Sequence, residues 1–224
     1  MVAVEDYTGP FHRTVLWIAR KPEIKTVHRP ALAEGRICAL SSGQKFHLFV
    51  RNTFEPITVI TSAFDAGIGQ ATDSDPSFGQ GMEGYGKRLG AAGLDRVSRD
   101  FFHTFFFSVI FRQDPRYYQL GHGSNGRRLG HALTHVFVAH GDSGRKNFNF
   151  SEWMGTAASS ALGNTYHPDN RRGVGPASER IAISIGTDMG FDVLREFWPE
   201  VIRKLRLPFR IPQPPDAKQA SPSK

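Results

Sequence analysis

The sequence predicts a mainly α-helical protein, a compact bundle whose helices touch through small-residue faces. Three observations carry that expectation. Gly86, Gly90 and Gly93 recur at helical spacing within a long periodic stretch, and Gly155 and Gly163, then Gly186 and Gly190, repeat the theme in two later stretches. Small residues on one side of a helix let backbones approach closely, which offsets the roughly 1 kcal/mol that each glycine costs a helix. Helix-starting residues stand ahead of the periodic runs, and turn chemistry separates them.

Taken in order, residues 1–42 read as an irregular extension punctuated by Pro10, Pro22 and Pro30. Ser42 is the expected cap of a first helix with Phe46, Phe49 and Val50 on its apolar face. Pro56 suits the first turn of a second, because that turn does not use its missing N–H. "TDSDPSFGQG" is a loop by composition. The longest expected helix runs from Glu83 to Phe111, and Pro115 ends it. "RRLGHALTHVFVA" reads as a short helix with Leu129, Leu133, Val136 and Phe137 inward, followed by a turn at "GDSGRKNFN". Asn149 is placed to cap the next helix, with Glu152 three residues on. The last helix should start near Pro176 and end or kink at Pro199. The helical domain thus spans 43–207, and residues 208–224 form a Pro-, Ser- and Lys-rich tail without a packing face, expected to be extended and disordered.

Composition bounds the function classes. The 224 residues contain 18 Phe, and 28 Lys and Arg against 21 Asp and Glu give a formal charge of +7. A basic balance permits attraction to anionic lipid or nucleic acid. No aromatic–basic alternation or zinc-finger spacing is present, so nucleic acid is disfavoured as a partner. The lone Cys38 excludes an internal disulfide and any multi-cysteine metal site. No apolar run reaches the roughly 18 residues a membrane-spanning helix needs.

Six phenylalanines crowd "FFHTFFFSVIF", Phe101 to Phe111. Eleven helical residues span roughly 16 Å, about half the hydrocarbon thickness of a bilayer. The block is therefore either a core helix enclosed on most sides or a shallow insertion into a lipid surface. On the second reading Phe102, Phe105, Phe106, Phe107 and Phe111 form the lipid- or partner-binding residues. Arg112, Arg116, Tyr117 and Tyr118 then sit at the apolar–polar boundary.

Motifs for catalysis are thin. His131 and His135 in "HALTH" stand one helical turn apart, the geometry of two metal ligands, but Ala132 occupies the place where a zinc protease needs Glu. Asp188 and Asp192 share an i, i+4 spacing that ordinarily marks a solvated face, with Arg195 as an ion-pair partner. Asp100 beside the small-residue stripe needs partners if buried, with Arg112 or Arg116 as candidates. "GYGKRLG" and "GHGSNG" lack the Gly-Lys-Ser/Thr and strand context of phosphate loops, and "GDSGR" lacks the fold of a serine protease. No cofactor is expected.

The segments "AFDAGIGQA", "GYGKRLGAA", "QDPRYYQLG", "DSGRKNFNFSE", "GNTYHPDNR" and "EFWPEVIRKL", in that order between about Gln44 and Leu205, resemble an uncharacterised family of bacterial cell-envelope proteins usually made with a secretion signal. The resemblance assigns no residue a role. It implies a periplasmic or outer-membrane-associated location, although residues 1–42 carry no recognisable signal, which leaves the cytoplasm as the alternative. The leading expectation is a non-enzymatic envelope protein that meets a membrane lipid surface or an envelope protein through its aromatic helix and packs against copies of itself through glycine faces. The alternatives are a metal-dependent hydrolase using His131 and His135, and a soluble carrier with a Phe-lined cavity.

Overall fold

The computed structural model describes residues 2–3, 19, 21–27, 39–204 and 209–210. Among them six helical rods dominate: α1 (Ser42–Thr53), α2 (Pro56–Ala71), α3 (Gly81–Asp100), α4 (Asn125–Thr134), α5 (Phe150–Gly163) and α6 (Val174–Lys204). The chain is mainly helical, as its periodicity requires. The tail beyond residue 210 and most of the N-terminal extension, Cys38 included, lie outside the described residues.

Local chemistry explains the starts. α1 opens with a capping box in which Ser41 accepts the Gln44 N–H and the Gln44 side chain accepts the Ser41 N–H. The cap is thus Ser41 and not its neighbour Ser42, since only Ser41 has extended backbone at the junction. α2 begins on Pro56. Asn149 caps α5 through the Glu152 N–H, while the Glu152 side chain, free of any reciprocal duty, turns to Arg99 and His103.

The rod begun by α3 continues without a break through a π-helical segment, Phe101–Phe107, and a last α turn, Ser108–Ile110. The wider winding occupies the phenylalanine block. α6 runs through Pro199 to Lys204, so this proline does not end the helix. The expected continuation of α4 through Ala139 is also corrected. After Thr134 the chain turns into a hairpin, β4 (Val138–His140) with β5 (Lys146–Phe148), joined across Gly141–Arg145. Leu129, Leu133 and Phe137 are exposed, contrary to expectation, while Val136 is buried as expected, together with Arg128 and Ala132. Four further short strands form two parallel pairs: β1 (Val2–Ala3) with β6 (Phe209–Arg210), and β2 (Thr26–Val27) with β3 (Tyr117–Tyr118).

α5 lies at the centre, against the π-helical segment, α3 and α6. Its small residues make that possible: Ser151, Gly155, Thr156, Ser159, Ser160 and Gly163 are all buried. A Cβ on Gly155 would stand 2.7 Å from the backbone N and Cα of His103, so only glycine fits. Gly163 lies under the Arg180 side chain. The other glycine faces behave differently. A Cβ on Gly86, Gly90, Gly93, Gly186 or Gly190 would meet nothing within 4 Å. Small-residue packing therefore holds for one of the three stripes.

The contrast gives a prediction of opposite signs. Gly155→Ala is expected to lower unfolding free energy by about 1–3 kcal/mol through overpacking against backbone. Gly190→Ala, in an exposed helix interior, should raise it by about 0.5–1 kcal/mol. Denaturant unfolding of both variants checks this, and a Gly190→Ala variant less stable than the parent would show that a second copy covers that face.

Candidate functional site

The phenylalanine block does not disappear into the core. Phe106 and Phe111 are 40% and 38% exposed, and Phe102, Phe105 and Phe107 are half-buried. The rings join into one continuous aromatic surface. Phe46 of α1 meets Phe105 edge-on, Phe101 links Phe105 to Phe106, and Phe107 stacks on Phe111. Phe111 then reaches Phe150, which touches Phe148, and Phe148 and Phe137 both rest on Trp153. Edge-on and offset ring pairs are the favoured geometries, worth about 0.5–1.5 kcal/mol each beyond the area they bury. Two helices, the π segment and the hairpin thus build one apolar face that the sequence reading had confined to a single helix.

Half of the polar flank expected beside it is turned inward. Tyr117 and Tyr118 are buried, at 1% and 3% exposure. Tyr118 donates its hydroxyl to Asp114 at 2.6 Å, and Arg116 pairs with the same carboxylate. Tyr117 donates to Glu196 at 2.7 Å. Each tyrosine finds an internal acceptor, which removes the reason for its hydroxyl to seek water. Of the four flanking residues only Arg112 is exposed, at a left-handed backbone position (φ 51°).

Behind the aromatic face the interior is unusually ionic. Buried positions among the described residues are filled by polar and charged side chains more than by apolar ones, while large apolar residues such as Phe64 and Ile183 stand exposed. A half-open pocket of about 370 Å³ adjoins this network, with Lys21, Lys25, Arg96, Arg99, Arg180 and Arg195 among its lining residues. Asp100 is 1% exposed and accepts from Asn52 and Thr53, each at 2.9 Å, with Lys25 3.8 Å and Arg96 3.6 Å away. These partners replace the Arg112 and Arg116 expected from sequence. Burial opposes the charge on Asp100, but Lys25, Arg96 and Arg99 outweigh it and hold the carboxyl down to about 2. Burial lowers the Lys25 ammonium to about 8 despite Asp100.

Asp188 and Asp192 do not form a solvated face. Asp192 is buried, pairing with His135 at 2.7 Å and with Arg195, and Asp188 is engaged by Arg99. His131 and His135 turn to different partners, the Tyr118 carbonyl and Asp192 respectively, so the two rings are not gathered on one ion. A different trio, His103, Glu152 and Asp188, brings its ligand atoms within 4.8 Å of one another. Arg99 already bonds both of those carboxylates and Lys25 lies close by, so the positive charge a metal would bring is in place. Burial, with Lys25 and Arg99 nearby, lowers the His103 imidazole to about 4. The arrangement neutralises itself. No signal in the local sequence ties Glu152 or Lys25 to this cluster, because their partners lie tens of residues away.

Among the described residues, Phe191 is the phenylalanine that lines the Lys- and Arg-rich pocket. Among the described residues no helix is long and apolar enough to cross a membrane. No family model, curated protein or solved structure matches the chain.

Proposed function

We propose that the protein is a non-enzymatic component of the cell envelope that lies on a membrane, its aromatic face seated in the lipid surface. The observation that carries this reading is the continuous, partly exposed ring surface running from Phe46 through the π-helical segment to Phe150 and Phe148. Contiguous apolar surface of this kind marks an interaction site, and scattered single residues do not. The face is too shallow to span and broad enough to lie flat, which is how interfacial proteins bind. The ion-paired interior agrees with this division, since the apolar side chains a water-soluble core would hold are largely on the outside. The net charge of +7 favours an anionic leaflet.

Vesicle co-flotation of the full chain tests it. Replacing Phe106, Phe111 and Phe150 together by serine removes three half-exposed anchors, each worth about 1 kcal/mol of its full transfer value, so partitioning should weaken about a hundredfold. Failure of the parent protein to float with either zwitterionic or anionic vesicles at low salt would sink the reading.

A further inference from the structure

The β4–β5 hairpin places two basic side chains directly opposite each other. His140 and Lys146 are register partners, so both emerge on one hairpin face. They border an open notch of about 370 Å³ together with Tyr118, Gln119, Arg127 and His131, and among the described residues no carboxylate lines it. Neither Arg127 nor Lys146 has a carboxylate partner among the described residues. The Nδ1 atom of His140 is buried with no hydrogen-bond partner. His131 already directs Nε2 to the Tyr118 carbonyl at 2.8 Å.

Burial, Lys146, His135 and His131 lower the His140 imidazole to about 4, against the opposite pull of Asp114. At neutral pH His140 is therefore uncharged, and Arg127 and Lys146 supply the positive charge. A guanidinium and an ammonium around one opening are the donors that bind oxyanions best. Donors arriving from α4, β4 and β5 suit a tetrahedral group with several oxygens better than a planar carboxylate with two.

The surroundings narrow the source. The neighbouring register pair, Val138 with Phe148, lies two residues along the same hairpin face, about 7 Å away at the usual strand rise. Both are exposed, and Phe148 belongs to the aromatic surface through Phe150. A basic pair thus stands beside an apolar pair at the edge of that surface.

We propose that this notch binds a phosphate-class oxyanion, and that on a membrane the oxyanion is the phosphate of an anionic lipid headgroup, its acyl chains meeting Val138 and Phe148. The second half rests on the membrane reading; the first stands without it.

The test has a solution arm and a vesicle arm. In solution, the Cε1–H resonance of His140, assigned with His140→Gln, is followed at about pH 5.5 as inorganic phosphate or glycerol phosphate is added at constant ionic strength. A bound phosphate anion should raise the His140 pKa by about one unit and move the resonance towards the imidazolium position. The shift should vanish in Arg127→Gln with Lys146→Met and persist in Lys87→Met, a cation on the surface of α3. In the vesicle arm, the parent should float about tenfold more readily on phosphatidylglycerol-containing vesicles than on phosphatidylcholine alone, and Lys146→Met should erase the preference.

No resonance shift with either phosphate compound, or an equal shift in sodium chloride, overturns the site. A shift in solution without headgroup preference assigns free phosphate and overturns the lipid half. Loss of flotation on every vesicle, with the solution shift intact, sinks the membrane reading and leaves the notch standing.

Discussion

Asp100→Ala is expected to lower the unfolding free energy by about 3–5 kcal/mol, because it strands a buried cation. Lys25 is 6% exposed, and its Nζ donates to Thr104 at 2.7 Å with Asp100 as its nearest carboxylate partner. The same change orphans the Asn52 amide and the Thr53 hydroxyl, each buried. An isolated buried ammonium is costlier than the pair, so Lys25 would titrate well below its present value of about 8. The double variant Lys25→Met, Asp100→Leu should recover most of the loss, since replacing both ions with apolar groups is often neutral. Urea unfolding of the three proteins decides it. A single-variant loss below about 1 kcal/mol would mean that water, and not Lys25, compensates Asp100.

Glu196→Ala should cost a comparable amount, about 3–5 kcal/mol, for a different reason. Glu196 is fully buried and one carboxylate holds together three parts of the chain. Its Oε2 accepts from Tyr117 Oη at 2.7 Å and the Leu120 N–H at 2.9 Å, and its Oε1 from the Gly121 N–H at 2.9 Å and Arg128 Nε at 2.8 Å. Burial opposes ionisation, but these four donors hold the carboxyl below its ordinary range. Glu196→Gln should rescue less than half of the loss, because an amide NH₂ would face donors where an oxygen is needed. Amide exchange separates this from a general loss of stability. The Leu120 and Gly121 amides should lose protection first, and unchanged protection at both would end the proposed role of Glu196 as the anchor of that loop.

Several elements were legible in the sequence because the forces that make them are local. Proline at the start of α2 and asparagine before α5 act on their own backbone, so spacing alone finds them. The hairpin was hidden because Leu129, Leu133 and Val136 repeat at helical steps and carry the eye past Thr134. The signal against that reading was present, since Gly141 and Gly144 bracket a tight turn between two apolar segments. Asp192 reads from its spacing as part of an ordinary solvated helix face, and nothing local marks Glu196. Their partners, His135 and Arg128, come from a helix almost sixty residues earlier or more, and no window includes both.

The glycine stripes mark the boundary most clearly. Period says which residues share a side of a helix; it is silent on what stands opposite. Gly155 faces the His103 backbone, whereas Gly90 and Gly190 face open space, with the same spacing in all three helices. By itself the sequence determined a mainly helical chain, several of its starting points and an aromatic block too short to cross a bilayer. Only the tertiary structure decided that charge would be buried and phenylalanine shown, because an ion enters a low-dielectric interior only where distant segments deliver its counter-ion and hydrogen bonds together.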